Sequence, residues 1–232
     1  MSTVTTDRLK LPEIPPLQSG DRLNRAEFER RYNAMPNNVK AELIDGVVYM
    51  SSPTRADFHG DQHGALVCWT NTYKAATPGV KAPDNATVRL DDHNEPQPDA
   101  ALYLKADKGG QVIIDKHGYI TGAPDWIGEV AASSASYDLH SKMETYQGFG
   151  VREYLVWRVL DAAIDWFVLR DGQFERLQPH RHVYKSTIFP GLWLHAQAMI
   201  EGDLGKVLVL LKRGLATPEH AAFVEQLRKR RS

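Results

Sequence analysis

Apolar residues in this chain fall into short runs separated by Gly, Pro, Asn and Asp, the pattern of a sheet-rich fold. Glu42-Leu43-Ile44 and Val47-Val48-Tyr49-Met50 flank Asp45-Gly46, a dipeptide that tight hairpin turns select, so Ala41 to Met50 reads as a hairpin. Val80 to Leu90 is extended, with Val88 and Leu90 alternating. After the polar turn Asp91 to Gln97, Pro98-Asp99 opens an apolar run that continues from Ala100 to Leu104. A matching run, Trp126-Ile127-Gly128-Glu129-Val130-Ala131, is bounded by Pro124 and by Ser133-Ser134. Glu153 to Arg158 is a strongly apolar strand. Ile164 to Leu169 faces Gln173 to Leu177 across Asp171-Gly172 as a second hairpin. Val183 to Leu194 supplies one or two more short strands.

Helical spacing appears between these runs. Leu23, Ala26, Phe28 and Tyr32 predict a helix over Asn24 to Ala34, capped by Asn24 with Glu27 three residues on and stopped at Met35-Pro36-Asn37-Asn38. A helix from about Ala56 to Ala75 ends before Pro78-Gly79. Tyr137 to Gly148 forms another, with Asp138 as its N-cap. Gly202 to Leu215 and Pro218 to Arg231 close the chain as two helices. Lys105 to Gly122 is a polar, Gly-rich connection with Val112-Ile113-Ile114 in its middle, long enough to hold a short helix or strand. Pro12, Pro15 and Pro16 keep residues 1–20 from forming a helix. The organisation expected is a flexible N-terminal arm over 1–20, one domain over 21–198 and a C-terminal helical extension over 199–232.

Composition narrows the function. With 232 residues and 42% hydrophobic content the chain can bury one substantial core. Lys and Arg total 28 against 29 Asp and Glu, a net charge of -1, which is not the footprint of a strongly basic nucleic-acid binder. Cys68 is the only cysteine, so an intramolecular disulfide and a Cys-rich zinc site are excluded. No apolar run reaches the length of a membrane span. The first residues lack the apolar core of a signal peptide, and the compartment expected is the cytoplasm.

The chemistry concentrates where a carboxylate interrupts an apolar strand. Asp99 and Glu129 each do so, on consecutive strands, and a buried carboxylate is costly unless a cation or N–H groups offset it. Lys142 follows on the next helix, with Tyr146 at i+4 on the same face. Two carboxylates plus water suit Mg²⁺, and a lysine nearby can orient an attacking water or neutralise developing charge. Metal-assisted phosphodiester hydrolysis is the reaction this set suggests. Each residue also has a structural reading. Asp99 can cap a turn after Pro98, Glu42 can be an edge-strand charge, and Lys142 can be a solvated helix residue. His59 and His63 stand at i, i+4, but the stretch His59-Gly60-Asp61-Gln62 lacks the His-Glu-x-x-His pattern of a zinc hydrolase.

The order strand-Asp, strand-Glu, helix resembles the PD-(D/E)xK nuclease superfamily, and within it the Uma-two family of restriction-endonuclease-like proteins. The resemblance runs from about Leu23 to the final helix. It is carried by Glu42-Leu43-Ile44-Asp45-Gly46, His59, Pro98-Asp99, Glu129-Val130, Ser133-Ser134, Tyr137-Asp138-Leu139, Lys142, Tyr146 and Gly150-Val151-Arg152-Glu153-Tyr154. The superfamily lysine lies two residues after the acidic one. That position is Ala131 here, and Lys142 matches the helix-borne lysine that takes its place in the family. The resemblance implies an α/β (α+β) fold with a restriction-endonuclease-like core: a central mixed β-sheet flanked by helices, with an extra β-hairpin and C-terminal helices. It implies a Mg²⁺-dependent endonuclease acting on DNA, with Mn²⁺ able to substitute, working as a homodimer. Asp99 and Glu129 would be the metal ligands, and Lys142, Glu42, His59 and Tyr146 would complete the catalytic set. The rival expectation is a catalytically silent protein of the same fold that binds nucleic acid or serves in assembly. Hydrolysis of another phosphate ester is a third.

Overall fold

The first helix, α1 (Arg25–Tyr32), starts where Asn24 accepts a hydrogen bond from the Glu27 N–H at 2.9 Å. The Glu27 carboxylate turns instead to Arg30 and Arg31, both at 2.7 Å. A computed structural model of the chain describes residues 14–36, 38–50, 60–132, 137 and 139–230. Most of the N-terminal arm, the segment Ser51 to His59, Ser133-Ser134, Asp138 and Arg231 lie outside them. Strands β1 (Ala41–Ile44) and β2 (Val47–Met50) close as the expected hairpin, with Ile44 opposite Val47. Asp45 and Gly46 both take left-handed backbone, φ 50° and 71°, as a two-residue turn of this kind requires.

The chain continues through α2 (Asp61–Ala76), β3 (Val80–Lys81), β4 (Val88–Arg89), β5 (Ala100–Leu104), β6 (Ile113–Ile114), β7 (Ile120–Thr121) and β8 (Trp126–Ala131). It then forms α3 (Ser141–Gly148), β9 (Glu153–Arg158), β10 (Ala163–Arg170), β11 (Gln173–Arg176), β12 (Val183–Lys185) and β13 (Trp193–His195). Helices α4 (Ala196–Ile200), α5 (Leu204–Leu215) and α6 (Pro218–Lys229) end it. Six strands make the central sheet in the order β11-β10-β9-β8-β5-β3. The pair β8–β9 is parallel, joined through α3, and the other pairs are antiparallel, so the sheet is mixed and flanked by helices as expected.

The period-2 alternation of these strands decides which side chains meet. Ala100, Leu102, Trp126, Val130, Leu155 and Trp166 face a core built with α2 and the C-terminal helices. Trp69, Trp126 and Trp166 meet there edge to face, with ring centroids 5.8 to 6.1 Å apart. Ala101, Ile127, Ala131, Tyr154 and Val156 face the other side, against Tyr146 of α3. Asp99 shares the parity of Ala101, and Glu129 that of Ile127 and Ala131, so both carboxylates belong to the α3 side. α5 and α6 contribute Val207, Leu211 and Leu227 to the first core.

One local expectation changes. The hairpin Ile164 to Leu177, expected to stand outside the nuclease core, extends the central sheet: β10 pairs along β9, and Trp166 is fully buried. Its alternation explains this, because Ile164 and Trp166 fill one core while Phe167 and Phe174 pack on Tyr154 from the other side. The long connection holds a short strand, as expected: Ile113 and Ile114, both exposed, form the edge of a small separate sheet in the order β4-β7-β6, and Val112 just before them is buried.

The segment leading to Asp99 is anchored to β1. Leu43 and Glu95 exchange backbone hydrogen bonds of 2.7 and 3.2 Å. The Glu95 side chain is buried beside Glu29 and Arg89; burial first, and then its hydrogen bond and charge contact with Glu29, push its carboxyl up to about 8. A raised folded-state value for an acid gives stability that is fully present below the unfolded value of about 4.5 and is lost as pH rises through about 8. The melting temperature of the wild type should therefore fall more steeply than that of Glu95→Gln between mildly acidic and mildly alkaline pH. Parallel thermal profiles of the two proteins would contradict this.

Candidate metal and phosphodiester site

The antiparallel register of β5 and β8 pairs Ala100 with Gly128, which brings Asp99 level with Glu129. The two residues hold each other's strands. The Val130 N–H donates to Asp99 Oδ2 at 2.7 Å, and the Asp99 N–H donates to Glu129 Oε2 at 3.3 Å. Glu129 Oε1 accepts from Lys142 Nζ at 3.0 Å and from the Tyr146 hydroxyl at 2.9 Å. The one-turn offset of Lys142 and Tyr146 on α3 lets both reach the same oxygen. Lys142 Nζ also lies 2.9 Å from Glu42 Oε2, and Glu42 Oε1 accepts from the Gln97 N–H at 2.6 Å. Asp99, Glu129, Lys142 and Glu42 expose 9%, 3%, 4% and 8% of their surface. Lys142 is thus not the solvated helix residue that lysine usually is; two carboxylates on separate sheets draw it inward.

The structure therefore brings together Asp99, Glu129, Lys142, Glu42 and Tyr146. His59 lies outside the described residues. Tyr146 keeps its proton: burial first, and then the charge of Glu129, hold its phenol well above the ordinary value. It is a fixed donor to Glu129 across the neutral range.

Other residues at the site stood outside the expected catalytic set. His63 Nε2 lies 3.1 Å from the Asp99 carbonyl oxygen and 3.0 Å from Asn85 Nδ2. Its signal was the i, i+4 spacing from His59, which pointed to metal rather than to Asp99. Tyr137 packs on Tyr49 as a tilted ring pair with centroids 4.1 Å apart, and Lys142 Nζ sits 5.5 Å from the Tyr137 ring centroid. Tyr49 is the cross-strand partner of Glu42, a link that only the hairpin register reveals.

The donor set suits a hard divalent cation. Asp99 and Glu129 supply only oxygen, the donor atom that hard cations prefer. Two carboxylates with water completing the shell is the arrangement Mg²⁺ uses. Among the described residues no group of three or more His, Cys, Asp or Glu converges as a metal site, so the tetrahedral protein cage typical of zinc is not formed there.

Comparison with known proteins bears on this geometry. The Uma2 family model, described as "Putative restriction endonuclease", matches residues 25–197. A crystal structure described as that of "a putative nuclease belonging to DUF820" from Anabaena variabilis is similar with a TM-score of 0.58 and 12% identity, covering 75% of this chain and 97% of that one. At that identity the likeness is one of fold. No curated protein matches the chain.

Removing one donor tests how far the site depends on its hydrogen bonds. Tyr146→Phe takes a bond from a buried carboxylate and should cost about 1–3 kcal/mol in urea denaturation. An unchanged midpoint would mean that Glu129 does not rely on the hydroxyl.

Proposed function

The chain belongs to the Uma2 family, and from that premise we propose that it is a metal-dependent endonuclease that hydrolyses DNA phosphodiester bonds at Asp99 and Glu129. The observation that carries the reading is the convergence of these two buried carboxylates with Lys142 on one face of the sheet. Asp99 and Glu129 would hold Mg²⁺, with Mn²⁺ able to substitute; the ion would polarise the phosphoryl group and lower the pKa of bound water. Lys142 neutralises charge that develops on the phosphoryl group during attack, or orients the water. Glu42 holds the same ammonium as Glu129, and Tyr146 fixes Glu129 itself. His59 stands as a further candidate for phosphate contact or general base.

A second reading is favoured by the net charge of -1, which gives the chain little general attraction for nucleic acid. In it, the same fold serves as a binding or assembly module without turnover. A cytoplasmic location fits either reading, and among the described residues no helix is long and apolar enough to cross a membrane. A homodimer would set two sites on one duplex. Because the second hairpin is built into the sheet, the pairing surface falls to the C-terminal helices, where Val209 is exposed. Sedimentation of a dimer at micromolar concentration is the expected result, and a monomer would reject it.

Plasmid nicking with Mg²⁺ or Mn²⁺, with chelator as control, separates the two readings. Asp99→Ala and Glu129→Ala should each abolish cleavage, since a lone carboxylate cannot hold a well-hydrated hard cation in place. Lys142→Ala should lower the rate by about 10²–10³ while leaving metal binding measured by calorimetry nearly intact. Equal nicking by wild type and Glu129→Ala would place the activity elsewhere. An inactive wild type across metals and substrates would favour the binding module.

A further inference from the structure

Beside the carboxylates lies a hydroxyl whose hydrogen-bonding capacity the described residues leave unused. The Tyr137 oxygen is buried, and among the described residues it has no hydrogen-bond partner. A buried polar atom left in that state costs folding free energy, and such atoms in native proteins usually answer to strain, a bound molecule or catalysis. The ring is not loosely placed. It packs on Tyr49 as a tilted pair with centroids 4.1 Å apart and an interplanar angle of 30°, and the Lys142 ammonium sits 5.5 Å from its centroid. Tyr49 pairs in register with Glu42, so the phenol is fixed from the β1–β2 hairpin and from α3 together.

We propose that Tyr137 is a substrate-contacting residue whose O–H donates to a non-bridging oxygen of a nucleic-acid phosphodiester. The proposal rests on the nuclease reading above and adds to it the residue that receives the phosphate. Its chemistry follows from the neighbours. A phosphodiester is an anion, and it must approach a place crowded by Glu42 and Glu129. The Lys142 ammonium already serves both of those carboxylates, at 2.9 and 3.0 Å. A neutral O–H can meet the incoming oxygen without giving up a bond to any described residue. Burial, and then the charge of Glu42, hold the phenol proton in place, so Tyr137 acts as a donor and not as an anion.

Tyr137→Phe keeps the ring, its packing on Tyr49 and the cation contact and removes only the hydroxyl. Three readouts follow. The melting temperature should stay level or rise, because a buried atom without a partner is lost. Binding of a short DNA oligonucleotide, read by fluorescence anisotropy with Ca²⁺ in place of Mg²⁺, should weaken by about 10-fold, the size of a hydrogen bond to a charged group. Cleavage of the same oligonucleotide in Mg²⁺ should lose about 10- to 100-fold in kcat/KM. Unchanged binding and cleavage would overturn the proposal. So would a marked fall in melting temperature, which would give the hydroxyl a structural role. The readouts separate this proposal from the nuclease reading. A wild type that binds but never cleaves overturns the nuclease activity, while weaker binding by Tyr137→Phe still supports the phosphate contact. A wild type that cleaves equally well with Phe at this position overturns the contact alone. A wild type that neither binds nor cleaves overturns both.

Discussion

Where β5 and β8 run antiparallel, Asp99 and Glu129 come level, and each carboxylate accepts an amide N–H from the other's strand. Everything proposed for this protein depends on that exchange. It fixes two charges at one place on the α3 side of the sheet, where Lys142 and Tyr146 meet Glu129 one helical turn apart. The rest of the fold keeps the join in register. On the far side, the Trp69–Trp126–Trp166 cluster packs behind β8 and β10. On the near side, Ile127, Ala131 and Tyr154 pack against Tyr146. A slip of one residue in β8 would send Glu129 to the tryptophan side and bring an apolar neighbour to Lys142.

The same device recurs through the structure. Asp125 accepts from the Leu104 N–H at 2.8 Å, and Glu153 accepts from Ser186 and from the Thr187 backbone and hydroxyl at 2.6 to 2.8 Å. Glu42 takes the Gln97 N–H in the same way. Burial raises the carboxyls of Asp125 and Glu153, and the captured N–H groups pull them back toward the charged form. Buried carboxylates are therefore a general means of latching segments in this chain, and burial alone does not mark a site. Asp99, Glu129 and Glu42 differ because they converge: two of them share one ammonium, and the third holds the strand beside it. Asp125, which holds the Leu104 N–H and the Arg152 guanidinium, and Glu153, which holds Ser186 to Ile188, share no ammonium with that group.

Much of this was legible in the sequence, for local reasons. Asp45-Gly46 announces a two-residue turn because few other pairs tolerate left-handed backbone twice. Asn24 announces a helix start because its side chain can reach Glu27 N–H. Glu129 stands out because strands disfavour glutamate, and Lys142 because it follows on the next helix. What could not be read is partner choice across long separations. Nothing local says that β10 pairs with β9 as part of the central sheet, or that β4 pairs with β7 in parallel across the long connection. The near contacts of Asp99 and Lys142 share that origin. His63 and Tyr137 stood outside the expected catalytic set, and their contacts with Asp99 and Tyr49 form only when α2, the β1–β2 hairpin and α3 close around the join.

The central claim is that Asp99 and Glu129 together hold one hard divalent cation. The most direct measurement is a crystal structure of the protein soaked in Mn²⁺, read in an anomalous difference map. The account predicts one peak bonded to oxygens of both Asp99 and Glu129, with Lys142 beside it and outside the coordination shell. A peak on other residues, or no peak at Asp99 and Glu129 under saturating Mn²⁺, would contradict it.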